Sequence, residues 1–240
     1  MKTSRLATAF ISTITIAGLA MLGGSVLKMT ALHHYQFLSL LVLGAVTSRT
    51  KVKLPGVNGT MSVNLPFMLI AAAQLSLFEA VAVALVSATL QSIPKRGGEF
   101  QFVKVLFNAS TIVLAAGAAA ILSHSQRLIA GSATAALVAA CSAFFLINTL
   151  PVATIIALTE GSGMMRVWSS IAHLSFPYYV ACTGLTSMVT VAGRHVGWQT
   201  PLAVLPVMLL MYRSYQSYFE PRAEESRFQP ASLVRAAAAH

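Results

Sequence analysis

Apolar residues run along this chain in blocks about as long as membrane helices, separated by short polar or basic joints. The first block is Leu6 to Leu27, preceded by Lys2 and Arg5. It resembles a secretory signal peptide, but it is long for one and no small-x-small cleavage site follows before Lys28, so it reads as a retained helix. Tyr35 to Val46 is shorter and closes on Arg49, Lys51 and Lys53. The next segment, LPGVNGTMSVN from Leu54 to Asn64, carries the turn signals Pro55-Gly56 and Asn58-Gly59 and reads as an irregular connector. Phe102 to Leu122 and Ile129 to Leu158 form two further spans, the second with Pro151 beside Asn148, which predicts a kink. Glu160 to Trp168 reads as a partly amphipathic link. Ser175 to Val191, with Pro177 near its start, and Leu202 to Tyr212 complete the set.

The informative block is 65–93, LPFMLIAAAQLSLFEAVAVALVSATLQSI. As one helix it would be about 43 Å long at 1.5 Å per residue, against a hydrocarbon core of about 30 Å. Inside it lies Ser76-Leu77-Phe78-Glu79, the S-x-x-E pattern of a capping box, which marks a helix start. The block therefore divides into two short helices, 65–75 and 77–93, meeting near Gln74 to Ser76. Charge placement favours the same division. With a hairpin here, all of the 16 Lys and Arg except Lys28, Arg127 and Arg194 fall on one side. With a single helix they split seven to nine. Cytoplasmic loops of membrane proteins are rich in Lys and Arg, so the hairpin is preferred. The expected architecture is an all-α polytopic membrane bundle of about eight helices, counting the two short ones. It occupies residues 1–219, with both termini cytoplasmic and a flexible cytoplasmic tail at 220–240 that Pro221 and Pro230 keep from continuing the last helix. Tyr35 and Trp198 fit an outer aromatic belt; Trp168, Tyr212, Tyr215 and Tyr218 fit an inner one.

Composition agrees. Of 240 residues 56% are apolar and 9% charged, where an ordinary soluble domain has about 25% charged. The mean hydropathy is +0.74. Too few charged residues exist for a soluble shell, and disordered segments are polar and poor in branched aliphatics. The net charge of +10 sits mostly in short joints between apolar blocks and not in a basic stripe with interleaved aromatics, so nucleic acid is not expected as a partner. The partners expected are the lipid bilayer, a small-molecule ligand and a separate signalling or energising membrane protein. The location expected is the inner, cytoplasmic membrane of a bacterium.

Signals of catalysis are nearly absent: the sequence has no HExxH, GxSxG or P-loop and no paired carboxylates within one segment. The chain reads as a non-enzyme without cofactor or metal. Cys141 and Cys182 lie inside apolar blocks and read as free thiols. His33-His34 reads as an interfacial pair, since adjacent residues on a helix point apart. Asn58-Gly59-Thr60 and Asn108-Ala109-Ser110 match the N-glycosylation pattern by chance. Ala20 and Gly24 in the first helix, and 115–120 in the fifth, offer small residues for close helix packing.

The candidate ligand-binding residues are Asn64, Glu79, Asn108, Asn148, Tyr178 and Tyr179. Glu79 is the only acid within an apolar block, and a charge at a helix centre in lipid costs about 2.5–3.5 kcal/mol on insertion scales. Two roles stay open for it: the cap alone, or the cap together with a ligand contact. The amides of Asn108 and Asn148 either make interhelical hydrogen bonds or line a polar cavity with Tyr178 and Tyr179, which could equally be belt residues.

The stretch KLPGVNGTMSVNLPFMLIAAAQLSLFEAVAVALVSATLQ resembles the N-terminal membrane region found before HD-GYP and GGDEF signalling domains in bacteria. So do KVLFNAS from Lys104, NTLPVATIIALTEG from Asn148 and SFPYYV from Ser175. That region is in turn similar to the substrate-binding S components of energy-coupling-factor vitamin transporters, with Pro66-Phe67 through Ser76 to Glu79 carrying the pattern. The resemblance, over roughly residues 35 to 218, implies a ligand-binding membrane sensor fold. No HD or GGDEF motif is present, so it implies no cyclic-dinucleotide chemistry. A substrate-binding subunit of an uptake transporter is the alternative.

Overall fold

A helix that is apolar on every side has to be surrounded. The segment Leu65–Gln74, LPFMLIAAAQ, is such a helix, and every residue from Leu65 to Ala72 is buried. In the computed structural model, which describes residues 5–29, 34–53, 60–94, 101–125, 132–210 and positions 213, 214 and 217, this helix lies at the centre of a helical bundle. The elements are α1 (Arg5–Leu27), α2 (His34–Thr47), a ribbon of β1 (Lys51–Lys53) and β2 (Thr60–Ser62), α3 (Leu65–Gln74), α4 (Leu77–Ser92), α5 (Phe102–His124), α6 (Ala133–Glu160) and α7 (Met164–Val196). A 3-10 turn, Gly197–Ala203, leads into a last short apolar helix, α8, over Gln199–Leu210. Among the described residues three helices, α1, α5 and α6, are long and apolar enough to cross a membrane.

The α3–α4 break lies where the capping pattern predicts it. Leu75 is extended, and the next helix begins at Leu77 with Ser76 as its N-cap. Side-chain pairs then fix the course of the chain. Gln36, near the start of α2, donates from Nε2 to Oε1 of Gln74 at the end of α3. Gly44, further along α2, lies against Ser87 and Val83 of α4. So α3 runs opposite to α2, and α4 turns back alongside it. At the far end of α4, Asn108 of α5 donates from Nδ2 to Ser92 Oγ at 2.8 Å.

The direction of α5 decides between a hairpin and a single helix. Phe10 meets Phe107 with ring centroids 6.3 Å apart, Gly18 abuts Ser110, and Met21 abuts Gly117. Residue numbers rise together in both helices, so α1 and α5 are parallel. One continuous helix over 65–93 would have made them antiparallel.

Burial identifies α5 as the hub: 61% of its apolar window is inside, against 11% for α1 and 22% for α6. Its smooth face, Ala115, Ala116, Gly117, Ala119 and Ala120, is buried. α5 packs against α1, α3, α4 and α6, and α3 packs also against α2, α4 and α7. α6 and α7 form an antiparallel pair joined by Gly161–Gly163, where Gly161 takes φ 69° to end α6. That left-handed conformation suits a residue without Cβ.

Four expectations are corrected. The Leu54 to Asn64 connector is not wholly irregular, because Thr60–Ser62 pairs antiparallel with Lys51–Lys53; its turn signals at 55–59 lie outside the described residues. The Glu160 to Trp168 link is not a separate element: Glu160 ends α6, and from Met164 the chain runs through Ser175 as one helix of 33 residues, α7, with Pro177 inside it. Proline removes the bond to the carbonyl four residues back, here that of His173, and both residues are exposed. In α1 the small residues that pack are Ala7, Gly18 and Ser25; Ala20 is exposed and Gly24 faces open space. Tyr178 and Tyr179 are not belt residues, being 3% and 6% exposed. The tail 220–240, His33, Lys95, Arg96 and Arg127 also lie outside the described residues.

Candidate functional site

Glu79 sits at zero exposure in the first turn of α4. Its Oε2 accepts the backbone N–H of Ser76 at 2.9 Å and the Ser76 hydroxyl at 2.7 Å. Ser76 Oγ in return accepts the Glu79 N–H at 3.4 Å. Both halves of the capping box are therefore formed. Ser76 is extended (φ −61°, ψ 161°), the conformation that lets an N-cap side chain reach forward. The positive end of the helix dipole faces the carboxylate.

Polar side chains from three elements and the backbone of a fourth gather near this turn. Besides the Gln36–Gln74 pair, a Cβ on Gly193 would lie 3.6 Å from Gln74 Nε2 and 3.8 Å from Thr200 Oγ1. The start of α2, the end of α3, the end of α7 and the 3-10 turn thus meet around Gln74. Sequence reading passed over Gln36, Gln74 and Thr200; their signal was a polar residue at the end of each apolar block.

No family model, curated protein or solved structure matches this chain. The site must therefore be read from its own geometry.

The six candidates do not form one constellation. Asn148 and Tyr179 are brought together, Nδ2 donating to Oη at 2.7 Å across α6 and α7. Around them Phe145 stands edge-on to Tyr179 at 4.9 Å, and Tyr178 and Tyr179 make an edge contact at 6.4 Å. Asn108 is engaged with Ser92 at another place. Asn64 opens α3, one helix length of about 15 Å from the turn at Ser76. It is 1% exposed, and neither Nδ2 nor Oδ1 has a hydrogen-bond partner.

Cys141 and Cys182 are buried free thiols. Among the described residues no group of three or more His, Cys, Asp or Glu could hold a metal ion. Trp168 donates from Nε1 to Thr149 Oγ1 at 3.2 Å, a second tie between α6 and α7.

Proposed function

We propose that this chain is a non-catalytic, small-molecule-binding module of sensory type in the inner membrane of a bacterium. Eight membrane helices, counting α3 and α4, would place both termini in the cytoplasm. The observation that carries this reading is the interruption at Leu75–Ser76: a ten-residue helix buried from Leu65 to Ala72 breaks inside the bundle, and a buried carboxylate opens the next one. At about 15 and 24 Å, neither α3 nor α4 spans a hydrocarbon core of about 30 Å. Broken helices at membrane depth are tolerated where protein or a cavity surrounds the freed backbone, and membrane carriers build binding sites at such breaks. The parallel course of α1 and α5 supports the hairpin, and the hairpin leaves only Lys28, Arg127 and Arg194 on the outer side.

Ligand would arrive from the outer side, where Gln36, Gln74 and the neighbourhood of Gly193 and Thr200 present amide and hydroxyl groups beside the turn. It would act by binding one packing of α2, α3 and α7 more tightly than another, the only way a ligand shifts such an equilibrium. The resemblance to sensor regions ahead of HD-GYP and GGDEF domains supports the same reading, with a separate membrane protein receiving the signal. Its link to S components supports a carrier instead, and dependence of uptake on a separate energising protein would distinguish the carrier.

Native mass spectrometry of the full chain in mild detergent tests the proposal. A small molecule released on activation, bound less tightly by Glu79→Gln, is the expected result. A chain that carries only lipid and detergent in repeated preparations overturns it.

A further inference from the structure

The α3–α4 hairpin buries two helix N-termini, and they are treated oppositely. That of α4 is closed by the chain itself through Ser76 and Glu79. That of α3 is left open. Asn64 precedes it in a helical conformation (φ −81°, ψ −7°) and its side chain makes no cap bond. The first bond along the helix runs from the Met68 N–H to the Asn64 carbonyl at 3.3 Å. Pro66 has no N–H, so the N–H groups of Leu65 and Phe67 precede the ladder without an intrahelical acceptor. Beside them lies the Asn64 amide, 1% exposed, with both polar atoms unpartnered. Buried polar groups are otherwise almost always paired. This one has two N–H donors and an oxygen acceptor to satisfy.

We propose that the open end of α3 is a binding site for the amide edge of a small neutral molecule, a carboxamide or a lactam, held by Asn64. The proposal rests on the reading of the chain as a small-molecule binder and adds a second site, about 15 Å from the turn at Ser76, with the chemistry of what it would take. An amide edge carries an acceptor next to a donor. Its carbonyl takes the Asn64 N–H while its own N–H goes to Oδ1, giving two reciprocal bonds. The second lone pair of that carbonyl suits a donor at the positive end of α3. A carboxylate fits less well. It brings only acceptors, sets one of them against Oδ1, and carries charge to a residue whose apolar chain neighbours Val63, Leu65 and Pro66 are all buried. A bound water could satisfy some of the same groups and is an outcome of the test.

The test uses the full chain in detergent and two probes of equal shape, benzamide and benzoate, with thermal unfolding as the readout. Benzamide should raise the Tm saturably and benzoate should not. Asn64→Leu should abolish the benzamide shift while keeping or raising the Tm of the free protein, because it removes an unmet amide from an apolar site. Asn64→Ser, which keeps a polar group too short to pair with an amide, should lose the shift as well and serves if the leucine variant fails to fold. Equal shifts from both probes, or no shift from benzamide, overturn the amide site. A drop of several degrees in the free Tm of Asn64→Leu overturns it too, and assigns the amide to a structural water. A molecule found by native mass spectrometry whose binding ignores Asn64→Leu sinks this site alone. A chain that carries nothing and answers neither probe sinks the sensor reading with it.

Discussion

Replacing Glu79 separates its side-chain length from its hydrogen bonding. The carboxylate is fully buried and accepts two bonds from Ser76, one from the backbone N–H and one from the hydroxyl. Glu79→Ala leaves that N–H without its acceptor at a half-buried helix start. A buried polar group left unmet costs about 1–3 kcal/mol, and bonds to charged acceptors contribute about 1.5–3 kcal/mol each. Because the two bonds share one oxygen and one partner residue, they do not add fully, and a loss of about 3 kcal/mol is expected. Glu79→Gln keeps a carbonyl oxygen at the same reach, so the Ser76 N–H stays paired; a loss of about 1 kcal/mol is expected. Ser76→Ala removes the forward half of the box and the hydroxyl donor but leaves the backbone bond, and should cost about 1 kcal/mol, as other N-cap serines do. The assay is reversible unfolding in mixed micelles, titrated with denaturing detergent and followed by the fluorescence of Trp168 and Trp198 together. The expected order of stability is wild type, then Gln and Ser76→Ala together, then Glu79→Ala. If Glu79→Ala is no worse than Glu79→Gln, the buried carboxylate is not holding the break in place and the account of the hairpin start fails.

Glycine contacts give a second, graded set. Gly18→Ala sets a Cβ 2.8 Å from the Ser110 Cα, a backbone atom, and should loosen α1 from α5 at a cost of about 1–3 kcal/mol. Gly117→Ala meets only the flexible end of Met21 and should cost less. Gly23→Ala and Gly24→Ala meet nothing and should be neutral or stabilising by up to about 1 kcal/mol; thermal melts of the four variants check the order. Tyr179→Phe leaves the Asn148 amide unpaired and should cost about 1–3 kcal/mol, while the double variant with Asn148→Leu should lose less than the sum of the single losses, read from a double-mutant cycle. For topology, single cysteines introduced at 51 and 95 in a background without Cys141 and Cys182 should label from the same membrane face with an impermeant maleimide; labelling from opposite faces would remove the hairpin from the membrane frame.

The parts of the fold that were legible are those whose signal is local. The α3–α4 break was readable because a capping box is a four-residue pattern with one geometric meaning, and because α3 and α4 together exceed a membrane's thickness. α7 was misdivided because Pro177 is a local breaking signal, while its place on an exposed side of a continuous helix is tertiary. The packing role of Gly18 over Gly24 was illegible for the same kind of reason: both are small, and only the approach of α5 distinguishes them. Spacing along the chain likewise could not show which candidate amides would find each other. Asn148 meets Tyr179, 31 positions away, and Asn108 meets Ser92, 16 positions away. Asn64 lies beside neither pair, and nothing in its neighbours along the sequence announces an unmet amide.

The two ends of α3 point to how binding at one end could be felt at the other. α3 touches α2, α4, α5 and α7, and its flanks are apolar and fully buried, so no hydrogen bond from the side chains of 65–72 fixes its height in the bundle. Among the described residues its polar side-chain tie lies at one extremity, Gln74 to Gln36 at the turn; at the other, the Asn64 amide is unmet. A helix held by dispersion along its length resists voids but has no directional bond to break when it slides slightly. Satisfying Asn64 would therefore load one end of a rigid ten-residue rod whose other end carries the amide pair to α2 and the start of α4. Movement of that rod would be transmitted to Gln36 and to the Gly193–Thr200 region without passing through the α1–α5 contact, where Gly18 and Ser110 leave no room to shift. On this reasoning α1, α5 and α6 form the frame and α2, α3 and α7 the responsive part. A ligand that protects backbone amides of α3 and the start of α2 from hydrogen exchange, while leaving α5 unchanged, would bear that division out; uniform protection across all helices would contradict it.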